Sequence, residues 1–255
     1  MFPISDDNPT IRTPWMTYVI VAATMLVWVF VQGAGFDARL AASVCDLGLV
    51  PAELTGLRPV GFAVPFGDGL ACVVDDSAIN WLTPLTTIFL HGGWSHVLGN
   101  MWFFWVFGNN IEDSMGPARF LAFYLVCGVL AAAAHVATNA GSAVPTVGAS
   151  GAVSGIMGAY LMLFPRARVN LLFFFVFFIR VIPVPAWGAL LWWFAWQVIS
   201  ALPALQGAAE GGGVAFAAHV GGFVAGIALI KVFAKPELLA ERRRIHDERY
   251  PGLEA

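Results

Sequence analysis

Six apolar runs interrupt this chain, at residues 15–32, 94–111, 117–136, 150–164, 187–202 and 216–233, and no Asp or Glu lies inside any of them. A helix on the surface of a soluble domain keeps a polar face toward water. These runs have almost nothing to offer such a face. Roughly 20 apolar residues cross the ~30 Å hydrocarbon core of a bilayer, and most of the runs approach that length. The remainder of the chain agrees: 59% of residues are hydrophobic and 11% charged, against about 25% charged in a typical soluble domain. The expected fold is an all-α polytopic membrane protein of six transmembrane helices. The membrane domain covers residues 1–234, and a charged, partly helical tail follows over 235–255.

The connections carry further information. Phe36 to Leu90 is a long loop holding Pro51, Pro59 and Pro65, too long for an idle connection and expected to pack as a small interfacial subdomain. Two of the three cysteines, Cys45 and Cys72, lie in it, and Cys127 lies in an apolar run. In an oxidising compartment a Cys45–Cys72 bridge forms; two free thiols are the open alternative. Val169 to Ile182 is very apolar but bracketed by Arg168 and Arg180, and is expected to be interfacial or an irregular lead into the fifth helix. With six spans, Arg39 and Arg58 lie on one side, and the other eleven Lys and Arg residues share the opposite side. That asymmetry puts both termini in the cytoplasm of a cell (inner) membrane. The N-terminus, with Asp6, Asp7 and Arg12 ahead of the first apolar run, does not read as a cleavable signal peptide. A net charge of −3 gives no reason to expect a nucleic-acid partner.

Polar side chains inside apolar spans are functional candidates by default. The candidates are His96 and Asn100 on the second helix, His135 near the end of the third, Ser150 and Ser154 on the fourth, and His219 on the sixth. Ser150 precedes Arg166 by 16 residues, which at ~1.5 Å per residue is about 24 Å of helix. Similar counting puts His219 and the His96/Asn100 pair roughly 18–24 Å from the same boundary. Three helices thus present polar groups in one layer. Gly151 and Gly155, like Gly222 and Gly226, are four apart, a spacing that lets helix backbones approach in lipid. Gly148 precedes the serine.

The chemistry follows from this inventory. Ser150 needs an adjacent base to act as a nucleophile, and His219 is the candidate. With no carboxylate in any span the pair is a dyad rather than a triad. His96 and Asn100, at i and i+4, share a helix face and can donate to an oxyanion together with the Ser150 N–H. Ser154, one turn deeper, is the rival nucleophile. His135 reads as an interhelical hydrogen-bonding residue and His246 as a solvated tail residue. A metal site at His91, His96 and His219 is disfavoured, because no acid or thiolate completes the set.

Taken together, these segments resemble the rhomboid family of intramembrane serine proteases. Gly148-Ala149-Ser150-Gly151 is similar to its GxSG nucleophile motif, and Ala218-His219 with Gly222 and Gly226 to its AHxxGxxxG base motif. His91 through Asn100 is similar to the segment whose later His and Asn line the oxyanion hole, and Asn110 to Gly116 to a recurrent turn. The resemblance implies a rhomboid-like bundle with a partly membrane-embedded first loop. It implies serine endopeptidase action on transmembrane segments of other proteins in the bilayer, without cofactor or metal. It also implies substrate entry past the fifth helix and the Gln206–Gly213 cap; the oligomeric state is left open. Two departures stand out. Leu82 and Thr83, with Trp81 before them, occupy the place of a Trp-Arg pair that anchors the loop in many relatives. Ser154 replaces an aromatic that in some relatives stacks on the catalytic His, so something else must orient His219. An inactive client-binding relative and a transporter are the competing functions. A soluble α/β-hydrolase is disfavoured, because Ala152 stands at the last Gly of GxSxG.

Overall fold

The structure is a computed structural model and describes residues 2–66, 69–175, 178–205 and 215–249. It opens with strand β1 (Phe2–Asp6), followed by helix α1 (Trp15–Leu26), which runs on as a π-helical stretch over Val27–Val31. The long loop contains α2 (Asp37–Leu47), α3 (Pro51–Thr55), a small hairpin of β2 (Ala63–Pro65) and β3 (Ala71–Val73), and the single turn α4 (Thr83–Thr86). Then come α5 (Trp94–Met115), α6 (Pro117–Thr138) and α7 (Ser150–Leu163). Strands β4 (Arg168–Phe175) and β5 (Phe178–Pro185) lead into α8 (Ala186–Leu205), α9 (Phe216–Phe233) and α10 (Pro236–Arg249). The chain is mainly helical. By length and composition α6 and α9 can cross a membrane, while α1 with its π-helical extension, α7 and residues 186–202 of α8 are shorter apolar helices.

Helix α7 is the centre of the bundle. Every residue from Gly151 to Tyr160 is buried, and α5, α6, α8 and α9 all pack on it. A helix apolar on all sides must be enclosed in this way. At 14 residues it is only about 21 Å long. The outer helices instead expose large apolar side chains: Trp102 and Trp105 on α5, and Trp187, Trp192 and Trp196 on α8. That surface suits lipid.

The described residues of Val169–Ile182 are not an irregular lead into α8. They belong to the antiparallel pair β4 and β5, with Leu171 opposite Ile182 and Val169 opposite Val184, and β1 adds as a third strand in the order β1-β4-β5. Backbone groups that an irregular segment would leave unpaired are satisfied by the ladder instead.

Residues 235–249 also fold back on the bundle. Arg242 of α10 is 2% exposed. Its guanidinium donates to Asn8 Oδ1 and Asn110 Oδ1, both at 2.6 Å, and pairs with Asp113 at 3.3 Å. It also lies 4.4 Å over the Phe164 ring. Tyr160 donates to Asp6 Oδ2, which also accepts from Asn110 Nδ2. Glu112 caps the start of α1, accepting from the N–H groups of Met16 and Thr17. One polar cluster therefore ties β1, α1, α5, α7 and α10 together. His246, expected to be a solvated tail residue, is likewise 2% exposed, because α10 packs against the end of α5.

The loop does not rely on residues 82 and 83 for its attachment. The Gln32 amide holds both backbone groups of His91, donating to its O and accepting from its N–H, each at 2.8 Å. Leu49 and Thr146 form an antiparallel bridge, Ala52 N–H donates to Ser142 O, and Arg58 Nε donates to Gly141 O. A disulfide joins Cys45 on α2 to Cys72 on β3, with Cα atoms 5.1 Å apart. Trp81 is exposed and Thr83 buried.

Candidate active site

Ser150 is the first residue of α7, so its N–H has no intrahelical acceptor. Gly148 reaches it with φ +133°, a region favouring glycine. Space imposes the same choice, because a Cβ on Gly148 would lie 2.8 Å from His96 Nε2. The loop fixes this approach: Gly148 N–H donates to Thr87 O at 3.0 Å. Across from it, His219 on α9 sets Nε2 2.7 Å from Ser150 Oγ.

The glycines make that distance attainable. A Cβ on Gly222 would fall 2.0 Å from Gly151 O, and one on Gly226 would fall 1.9 Å from Gly155 O. The backbones of α7 and α9 are therefore in contact. On the α6 side, a Cβ on Gly151 would meet Ala131 Cβ at 2.6 Å, and one on Gly155 would meet Cys127 Cβ at 2.5 Å.

His96 Nδ1 accepts from Gly92 N–H at 3.3 Å, which leaves the proton on Nε2, the nitrogen facing Gly148. Asn100 Nδ2 is buried without a protein partner. Two donors and the Ser150 N–H thus border one cavity of about 800 Å³, lined also by His219 and by Val64, Pro65 and Cys72 of the loop hairpin. Among the described residues no group of three or more His, Cys, Asp or Glu could hold a metal ion.

The remaining polar candidates go elsewhere. Ser154 Oγ donates to the Ser150 carbonyl at 2.6 Å and is 1% exposed, so its hydroxyl is engaged within its own helix. His135 bonds through Nε2 to Thr146 Oγ1 at 2.9 Å, a contact with the loop that follows α6 rather than with another helix. The Gln206–Gly213 cap lies outside the described residues.

One neighbour of the site escaped the sequence reading. Gln197 on α8 places Oε1 2.8 Å from His219 Nδ1, and both residues are buried. The signal was available: an amide in an otherwise apolar run, on the same face as Leu190 and Trp193. Trp193 and Phe216 also flank the His219 ring, at centroid distances of 6.0 and 6.3 Å.

A profile of the Rhomboid domain matches residues 79–236, which include every side chain just described around Ser150 except those of the loop hairpin. The chain belongs to the rhomboid family. It is 30% identical over 156 residues to Rhomboid protein 1, mitochondrial, of Saccharomyces cerevisiae, covering 60% of this chain and 42% of that protein. It is 38% identical over 81 residues to Rhomboid protease GluP of Bacillus subtilis, covering 32% of this chain and 15% of the relative. Against human Presenilin-associated rhomboid-like protein, mitochondrial, it is 32% identical over 93 residues, covering 35% and 24%. The chain spans less than half the length of these curated relatives. Like other rhomboid proteins it is membrane-embedded, and the lipid-facing tryptophans of α5 and α8 fit that setting.

Proposed function

We propose that this rhomboid protein is an intramembrane serine endopeptidase that cleaves transmembrane segments of other membrane proteins. The observation that carries the reading is the 2.7 Å contact between Ser150 Oγ and His219 Nε2, formed where donors of no other evident use converge. Ser150 Oγ attacks the scissile carbonyl carbon as its proton passes to His219 Nε2. The oxyanion accepts hydrogen bonds from His96 Nε2–H, Asn100 Nδ2–H and the Ser150 N–H. The C–N bond then breaks, the imidazolium protonates the departing amine, and an ester remains on Ser150. A water enters the cavity, gives a proton to His219 and attacks the ester. Collapse of that second tetrahedral species returns the proton to Ser150 Oγ and releases the carboxylic acid.

In this reading six helices (α1, α5, α6, α7, α8 and α9) cross a cell membrane with both termini cytoplasmic. The α5 layer of His96 and Asn100 lies below the outer surface, and the Cys45–Cys72 bridge lies on the outer, oxidising side. The test is reconstitution in proteoliposomes with a transmembrane substrate. Ser150→Ala and His219→Ala are expected to abolish cleavage, and a fluorophosphonate is expected to label Ser150. Cleavage at wild-type rate by both variants would remove the dyad, and labelling at Ser154 would move the nucleophile.

A further inference from the structure

We infer that Gln197 is a positioning residue that holds His219 in the one tautomer able to act as a base. The inference rests on the Ser150–His219 reading. A neutral imidazole carries its proton on one nitrogen. For Ser150 Oγ to donate to Nε2, that proton must sit on Nδ1, and an Nδ1–H buried in an apolar bundle needs an acceptor. Gln197 Oε1, 2.8 Å away, is that acceptor. Were the proton on Nε2 instead, Nε2–H would donate to Ser150 Oγ, Nδ1 would face the Gln197 oxygen lone pair to lone pair, and no base would exist. The amide therefore sets both the ring's orientation and the site of its proton.

The placement on α8 supports this role. Among the described side chains of that helix, Ala186, Leu190, Gln197 and Ala201 are buried, at spacings of four, seven and four, so Gln197 lies in the stripe packed on the bundle. Trp187, Leu191, Trp192, Trp196 and Ile199 are exposed on the other side. An amide inside the packed stripe is costly unless it is hydrogen-bonded, and packing alone would be served better by an apolar residue. Its 2.8 Å partner is the His219 ring, whose other nitrogen touches the serine. A carboxylate at this place would be the third member of a triad; here a neutral amide does the orienting without adding a charge to a bilayer-spanning helix.

The test compares Gln197→Met, similar in length but with only a weakly accepting thioether for Nδ1–H, with Gln197→Glu, which keeps an acceptor oxygen. In proteoliposomes Gln197→Met is expected to lower kcat about 10- to 100-fold, part of the ~10²–10⁴ that a positioned base contributes. KM should stay within about twofold, because substrate contacts are untouched. Gln197→Glu is expected to recover most of kcat. Nitrogen NMR of the histidine-labelled wild type is expected to show His219 protonated at Nδ1, and Gln197→Met a mixture of tautomers. Wild-type kcat in Gln197→Met, or an Nε2–H tautomer in the wild type, overturns the inference. Equal losses in both variants accompanied by a fall in melting temperature also overturn it, since that pattern describes packing. Ser150→Ala and His219→Ala separate the two levels of the argument. If they cleave normally, the protease reading fails; if they are inactive while Gln197→Met is unaffected, only the role of Gln197 fails.

Discussion

The contact between α7 and α9 makes Gly222→Ala a sharp probe of how the site is built. A Cβ at position 222 would stand 2.0 Å from Gly151 O and 2.9 Å from the Gly151 carbonyl carbon. An ordinary carbon–oxygen contact needs roughly 3.4 Å, so one backbone must retreat by about 1.4 Å. Neither obstacle is a side chain that can swing away. The displacement has to be taken up by the helices carrying Ser150 and His219, whose hydrogen bond is 2.7 Å long. Passed on in full, it stretches that contact to about 4 Å, beyond hydrogen-bonding range. A misplacement of about 1 Å can cost 10²-fold in rate, and overpacking costs about 1–3 kcal/mol. The gain in helix propensity, about 1 kcal/mol for Gly to Ala, does not offset both. Gly222→Ala is therefore expected to lose at least about 100-fold in kcat, with slower fluorophosphonate labelling of Ser150 and a lower melting temperature in detergent. Gly188→Ala on α8 is the control, since its Cβ would meet Val184 Cγ1 at an ordinary 3.5 Å. Wild-type kcat and stability in Gly222→Ala would refute the claim that direct backbone contact sets the dyad distance.

Other outcomes can be stated more briefly. His96→Ala and Asn100→Ala should each lower kcat by about 10²–10³ while changing KM little, the pattern of lost oxyanion donors; single-turnover kinetics tests it. Reducing Cys45–Cys72, which closes a loop with a sequence separation of 27, should destabilise the loop subdomain by about 3–4 kcal/mol, read as faster proteolysis between residues 37 and 80. Arg242→Ala removes one of the two guanidinium partners of buried Asp113, leaving Arg12, and strips the donor from Asn8 Oδ1 and Asn110 Oδ1; it should cost about 1–3 kcal/mol, measured as a lower melting temperature and early cleavage within α10. Burial raises the Asp6 carboxyl to about 6, with the Tyr160 hydrogen bond and Arg242 pulling the other way. A raised folded-state value means that its stabilising contribution is complete below the ordinary 3.8 and is lost as pH rises through about 6. Hydrogen exchange in β1 and α10, corrected for intrinsic rates, should therefore speed up between about pH 4 and 6, and Asp6→Asn should flatten that slope.

The helices were legible because lipid tolerates few ways of spanning it, so long apolar runs carry most of the fold. α9 runs from Phe216 to Phe233, the bounds read from composition alone. α5 continues past Ile111 to Met115, because Glu112 and Asp113 are not a polar exit to water: they are buried and capture α1 and α10. The hairpin was not legible. Leu171 to Ile179 is continuously apolar, and such a run has no period to distinguish strand from buried helix. The strand that completes the sheet, β1, lies more than 160 residues away. The residues around Ser150 stood out as rare polar groups in apolar helices with small neighbours. Gln197 did not, because the groups that usually orient a catalytic histidine are a carboxylate or an aromatic ring, and an amide is neither.

Ser150 and His219 are 69 residues apart in sequence, with α8 between them. A ribosome extends the chain from the N-terminus at roughly 5–20 residues per second. The helix bearing the serine is thus made about 3–14 s before the helix bearing its proposed base. During that interval the hydroxyl has no proton acceptor, and the glycine face of α7 has no partner. On the proposed dyad, a nascent copy is chemically silent while it is still being threaded among other membrane proteins, and it becomes competent only when α9 docks.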